Sequence, residues 1–290
     1  MHNNISQHHL AVTKPVKDNF VKDRLQEIWM TDFTEHNGEE LALSFEDKKF
    51  IDIMSRNVKL KDGKYELPLP FRKAEPHLPE SRQQARSRLN SIKRRLRSDN
   101  KFREDYTAFM EQIIGKGYAN ECSDDSGQWY IPHHGVYHPR KNKIRVVFDC
   151  AAQNAGVSLN SELLQGPDLT NSLLGVLMRF RLERVAFMAD IESMFYQVKV
   201  PEHHRKFIRF FWWPDSDLMR EPREYEMSVH LFGALSSPSC ANFALRQTAT
   251  DNEEELGSET ADVLRNDFYV DDLLKSVEDE NEAVSMICKV

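Results

Sequence analysis

The stretch Phe268-Tyr269-Val270-Asp271-Asp272-Leu273-Leu274 constrains this chain more than any other. Two adjacent carboxylates stand between short apolar runs, so the segment reads as two buried strands joined by a tight turn that carries the acidic pair. Neighbouring carboxylates repel, and burying them without a counter-charge is costly. A divalent cation relieves both problems, and an all-oxygen donor set favours Mg²⁺. A third carboxylate, Asp190, closes the apolar run Val185-Ala186-Phe187-Met188-Ala189, where a buried strand would end. Three carboxylates on adjacent strand ends suit two metals and in-line phosphoryl transfer. Taken alone, Asp-Asp between apolar runs also reads as a solvated turn, and the order of the other motifs decides between the two.

Composition bounds the rest. At 290 residues, with 40% hydrophobic and 29% charged positions, the chain is long enough for a substantial core in one large or two small domains. No apolar run approaches a membrane span, and the polar, His/Asn-rich N-terminus is not a secretory signal. The four cysteines, Cys122, Cys150, Cys240 and Cys288, form no CxxC pair and fit reduced thiols of an intracellular protein. A net charge of −7 argues against a simple polybasic nucleic-acid binder. The charge is uneven, however. Arg72, Lys73, Arg82, Arg86, Arg88, Lys93, Arg94, Arg95 and Arg97 face only Glu75 and Glu80 in their span, while acid gathers at Glu253-Glu254-Glu255 and between Glu278 and Glu282. A local basic face can bind phosphate whatever the total.

Along the chain, residues 1–40 show no sustained periodicity and read as a flexible lead-in. Ser44-Phe45-Glu46-Asp47 has the form of a helix start, predicting a helix through about Asn57. Asp62-Gly63 predicts a hairpin, and Pro68, Pro70, Pro76 and Pro79 an extended connector. A long helix should run from about Glu80 to Arg97, with Leu89, Ile92 and Leu96 as its apolar stripe. Its basic face reads either as a solvated surface or as a contact for a template backbone, through Arg82, Arg86, Arg94 and Arg95. A second helix, about Asn100 to Ile114, carries Phe102, Tyr106, Phe109, Met110, Ile113 and Ile114, a stripe that reads as core rather than as a base-stacking platform. Gly115 and Gly117 end it. Asp125-Ser126-Gly127 imitates an aspartic-protease triplet but lacks a hydrophobic strand before it and a second copy. His133, His134 and His138 are too loosely spaced for a metal site and read as structural. Phe210-Phe211-Trp212-Trp213 reads as a buried strand rather than a base-stacking surface. Ser237-Pro238 starts a helix to about Thr248.

The ordered motifs carry a resemblance. YVDD (269–272) resembles the catalytic box of reverse transcriptases. ADIESMFYQVKV (189–200) resembles their first catalytic motif, and FGALSSPSCANFAL (232–245) the motif lying between the two. WYIPHHGVYHPRKNKIRVVFDCAAQ (129–153) and GVSLNSELLQGPDLTNSLLGVLMRFRL (156–182) are similar to the polymerase region of BEL/Pao-type retrotransposons. The resemblance runs from roughly Leu41 to Ser276.

It implies roles residue by residue. Asp190, Asp271 and Asp272 would be catalytic and would hold two Mg²⁺ ions, with Mn²⁺ as the alternative; the Ile191 carbonyl would join them. Arg145, four residues before Asp149 on the expected strand Ile144–Phe148, would hold the triphosphate. A second cation expected in the preceding loop has no strict match: His138 occupies its position, with Arg140, Lys141 or Lys143 as substitutes. Phe195, five residues past Asp190, would pack beneath the nucleotide sugar and select deoxynucleotides; on periodicity alone it is a core phenylalanine. Phe232 and Gly233 would line the dNTP site, Gly233 by letting backbone approach closely. Some reverse transcriptases have glutamine where Phe232 stands.

The expected fold is α+β: a palm of antiparallel strands with helices on one side, plus fingers and an N-terminal helical extension. The expected division is a lead-in 1–40, a helical extension with the basic helix 41–125, fingers 126–184 and a palm with an interleaved fingers segment 185–290. The implied function is RNA-directed DNA polymerase, with an RNA or DNA template-primer and dNTPs as partners. The protease, thumb, RNase H and integrase would belong to other parts of a polyprotein, since a thumb and RNase H are expected after Val290. The implied compartment is intracellular: cytoplasmic, in a virus-like particle, or nuclear. Two alternatives stay open. One is an inactive, truncated remnant acting at most as a nucleic-acid-binding module. The other is a two-metal nuclease, disfavoured because it gives no reason for Phe195 or the Ser237-Pro238 helix.

Overall fold

The structure is a computed structural model and describes residues 43–124, 127–138 and 143–290, together with the strand at residues 11–12. The rest of the expected lead-in, Asp125 and Ser126 of the triplet, and Arg140 and Lys141 of the basic loop lie outside the described residues.

Strand β1 is Ala11–Val12. Helix α1, Phe45–Asn57, begins directly after Ser44, has Glu46 and Asp47 in its first turn and buries Phe50 and Met54 four residues apart. Strands β2 (Lys59–Lys61) and β3 (Lys64–Glu66) form the expected hairpin, with Asp62 and Gly63 both at positive φ in its two-residue turn. After the proline-rich connector comes helix α2, Arg82–Ser98, which buries Ala85, Leu89, Ile92 and Leu96. Ser81 precedes it without capping it. Its hydroxyl instead bonds the backbone of Tyr130, accepting from the amide at 2.7 Å and donating to the carbonyl at 3.1 Å. Helix α3, Asn100–Gly115, is capped by Asp99, which accepts from the Phe102 amide, and buries Phe102, Tyr106, Met110 and Ile113. The aromatic stripe is therefore core. Gly117 turns the chain out at φ +71°.

Strand β4 is Ala119–Glu121, β5 His133–Tyr137 and β6 Ile144–Phe148. Short helix α4, Leu159–Glu162, has a Ser158–Ser161 capping box, and α5 spans Leu173–Phe180. Strand β7, Val185–Asp190, is followed by a 3₁₀ turn over Met194–Gln197 and by α6, Glu202–Arg205. Strands β8 (Arg209–Trp212) and β9 (Arg223–Met227) pair antiparallel, and all four residues of β8 are buried, as the run of aromatics predicts. Helix α7 spans Ser237–Asp251, α8 Glu253–Leu256 and α9 Ser258–Asn266. Strands β10 (Phe268–Tyr269) and β11 (Asp272–Val277) precede α10, Glu280–Lys289.

Two compact units divide these elements. The first holds residues 168–194 and 242–290 with β1, and its sheet is antiparallel in the order β1-β7-β11-β10. Phe187, Leu273 and Val277 sit on its covered face in a cluster with Phe268, Leu264, Ala283 and Met286. The apolar run of β7 is not buried throughout, as its composition suggests: Met188 is 56% exposed. The register explains this. Leu274 pairs with Met188 and Asp272 with Asp190, which places these four on the face opposite Phe187 and Leu273.

The second unit holds residues 46–167 and 195–241. Its core packs Leu89, Leu96, Tyr106, Tyr130, Phe148, Phe210, Trp212 and Trp213 between α2, α3, the β5–β6 hairpin and the sheet β4-β9-β8. His133 is buried within it, one ring nitrogen 2.5 Å from the Tyr106 hydroxyl and the other 2.9 Å from the Phe211 carbonyl, so its role is structural. Among the described residues no helix is long and apolar enough to cross a membrane.

Candidate active site

The β10–β11 hairpin builds the acidic site. Tyr269 pairs with Asp272, so Val270 and Asp271 are the two turn residues. Such turns need positive φ, and Val270 adopts φ +59°, a costly conformation for a β-branched residue. Asp272, the first residue of β11, lies directly across from Asp190, the last residue of β7. The Ile191 amide donates to the Asp271 carbonyl at 2.9 Å and ties the two strand ends together. The three carboxylates therefore come from one sheet end, as their spacing in the sequence suggests. Burial, and then the charges of Asp271 and Asp190, push the Asp272 carboxyl above its ordinary value.

The donor set has the chemistry for a hard divalent cation: closely spaced carboxylates, one of which is disfavoured as an anion by its neighbours. Their side chains do not converge on one point, however: among the described residues no three acidic, histidine or cysteine side chains are grouped to hold an ion.

A second set of contacts anchors this hairpin and escapes a reading of the sequence. Asp267, only 4% exposed in its side chain, accepts from Arg179 Nε at 2.7 Å and lies 3.2 Å from Lys275 Nζ. Asn171 Nδ2 donates to the carbonyls of Arg265 and Phe268, each at 2.9 Å. The available signal was an acid set directly before the apolar strand; its partners lie far away in sequence.

The remaining candidates belong to the second unit. Arg145 is exposed on β6, opposite Val136 of β5. Phe195 lies 4.4 Å, centroid to centroid, from Phe232, which is 47% exposed, so the two form an accessible aromatic pair rather than a sealed core contact. Gly233 has φ +113°, and a Cβ there would stand 2.0 Å from the Phe148 carbonyl oxygen. The close approach that glycine permits is thus to the chain's own backbone. Asn160 holds this loop from both sides, donating to the Gly233 carbonyl at 3.0 Å and accepting from the Leu235 amide at 2.9 Å. The Ser237 hydroxyl donates to the Leu231 carbonyl at 2.8 Å.

The basic helix is not a uniform cationic surface. Arg82 pairs with Glu224, bonds the Tyr130 hydroxyl and lies 4.9 Å from the Tyr130 ring centroid. Arg86 lies over Phe211, Lys93 over Trp213, and Arg95 over Phe102 at 3.9 Å. Arg94 bonds Ser91 on its own helix at 3.2 Å. These stems and guanidinium groups cover core aromatics while keeping charge at the surface. The acid that meets Arg82 comes from β9, which the local charge count could not include.

No family model matches the chain, and no curated protein matches it. Among solved structures it is similar to a foamy viral protease-reverse transcriptase in complex with double-stranded DNA. The two are 14% identical with a TM-score of 0.47; the match covers 96% of this chain and 42% of the length of the viral one.

Proposed function

We propose that this chain is the polymerising region of an RNA-directed DNA polymerase of the BEL/Pao retrotransposon type, extending a primer 3′-hydroxyl with dNTPs on an RNA or DNA template. One observation carries the reading: the register that sets Asp190 opposite Asp272 and puts Asp271 in the turn between β10 and β11. In this reading the first unit is the palm, and the β5–β6 hairpin belongs to the fingers.

Asp190 and Asp271 would hold Mg²⁺ with the Ile191 carbonyl, Asp272 being the less direct ligand. When bound, such ions supply a Lewis acid for the phosphoryl oxygens and lower the pKa of a bound hydroxyl. The chain's own residues do the rest. By the same resemblance Arg145 would neutralise the triphosphate, and Phe195, with Phe232 beside it, would select against a 2′-hydroxyl. A non-catalytic nucleic-acid module is the competing reading, favoured by the absence of a converged three-ligand group among the described residues.

Asp190→Asn separates them. The polymerase reading expects primer extension to fall by about 10²–10³-fold, the scale for losing transition-state charge stabilisation, with template-primer affinity retained. Extension at the unsubstituted rate would remove the reading. Phe195→Ala should raise ribonucleotide incorporation relative to deoxynucleotide; an unchanged ratio returns Phe195 to a packing role.

A further inference from the structure

A cavity of about 430 Å³ in the second unit lies among the β2–β3 hairpin, the proline-rich connector and the start of α6. Its volume falls in the range of small-molecule pockets, about 300–1,000 Å³. Lys59 and Glu66 are cross-strand partners and Lys61 is two residues along, so the pleat puts all three on one face of the hairpin. That face lines the cavity, and the connector adds Lys73. Against these three cations stand two carboxylates, Glu66 and Glu202.

Glu66 is the informative one. The residue is 8% exposed, and its Oε2 receives no hydrogen bond from any described residue. Lys61 Nζ stands 3.7 Å away, within ion-pair range but beyond hydrogen-bond range. A buried carboxylate oxygen left unsatisfied is costly, so a cavity lined by one calls for a ligand that donates an N–H or O–H. The connector supplies an apolar wall through Pro68, Leu69 and Phe71. His204 braces that wall, accepting from the Leu69 amide at 3.0 Å with its ring edge-on to Phe71.

A ligand matching all these features carries an anionic group for the lysines, a donor edge for Glu66 and a flat apolar body for the wall. We infer that this cavity binds a nucleoside monophosphate, its phosphate on Lys59, Lys61 and Lys73 and its base donating to Glu66. The same chemistry is offered by a free nucleotide and by the 5′-phosphorylated end of an oligonucleotide.

The test is calorimetric titration of the full chain carrying Asp271→Asn and Asp272→Asn, in EDTA, so that the acidic site and the polymerase reading play no part. GMP is the probe, because its guanine edge presents adjacent N–H donors to a carboxylate; inorganic phosphate and a 5′-phosphorylated oligonucleotide are the other arms. Saturable GMP binding is expected. Adding Glu66→Met, which keeps length but removes the acceptor, should weaken GMP by roughly tenfold or more, the worth of a hydrogen bond to a charged group. Inorganic phosphate should bind no more weakly to that variant, which has lost a negative charge. Lys59→Ala/Lys61→Ala, at two exposed positions, should weaken every arm. The tighter of GMP and the oligonucleotide identifies the source. Absence of GMP binding, or GMP binding indifferent to or strengthened by Glu66→Met in a chain that melts like its parent, would overturn the inference.

Discussion

Burial first, and then the charges of Asp271 and Asp190, raise the pKa of the Asp272 carboxyl above its ordinary value. A carboxyl whose folded pKa is raised contributes stability that is full below its unfolded value and lost as pH rises through the folded one. Asp272→Asn should therefore raise the melting temperature near neutral pH without divalent ions, and the gain should vanish in acid. Mg²⁺ should stabilise the unsubstituted chain more than the variant; equal shifts would mean that the carboxylates hold no ion. Gly233 makes a second prediction at this scale. Gly233→Ala must place a Cβ against the Phe148 carbonyl at a φ that L residues avoid, and should cost more than about 2 kcal/mol in chemical denaturation. A neutral result would mean that the loop moves freely.

The β10–β11 hairpin depends on Asp267, which meets Arg179 and Lys275 from a nearly buried position. Removing one partner of a buried pair leaves the others uncompensated, so Asp267→Ala should destabilise by about 3 kcal/mol. Loss of less than about 1 kcal/mol, the scale of a surface pair, would show that the hairpin stands without this anchor. The hairpin itself was legible in the sequence, because two apolar runs flank an acidic pair at turn length. The helices at 45–57, 82–98 and 100–115 were legible too, since their apolar positions repeat at helical spacing and prolines or glycines punctuate them. What local pattern could not supply was partners: Asp267 needs Arg179, Arg82 needs Glu224, and Ser81 spends its hydroxyl on Tyr130 instead of a cap. Strand β7 shows the related failure. Its composition marks it as buried, yet only the register against β11 reveals that Met188 and Asp190 share an open face.

At the scale of the whole molecule, the second unit buries His133 and His230 and half-buries His204, and desolvation lowers the pKa of each to about 4. Because an unfolded histidine titrates near 6.5, stability should be full above about pH 6.5 and fall as the pH drops towards 4. Replacing His230, whose Nε2 lies 3.0 Å from the Leu67 carbonyl, with Gln should flatten part of that slope. An unchanged profile would show that the slope comes from other groups. The positions of the carboxylates at strand ends were readable from the sequence, whereas the cross-strand pairing of Asp190 with Asp272 and the basic cover over the core aromatics required the fold. The most direct measurement of the central claim is primer extension on an RNA template by the purified chain with Mg²⁺ and dNTPs, beside Asp271→Asn/Asp272→Asn. Extension by the unsubstituted chain and none by the double variant is the expected result. Equal extension by both, or none from a chain shown to be folded and bound to template-primer, would contradict it.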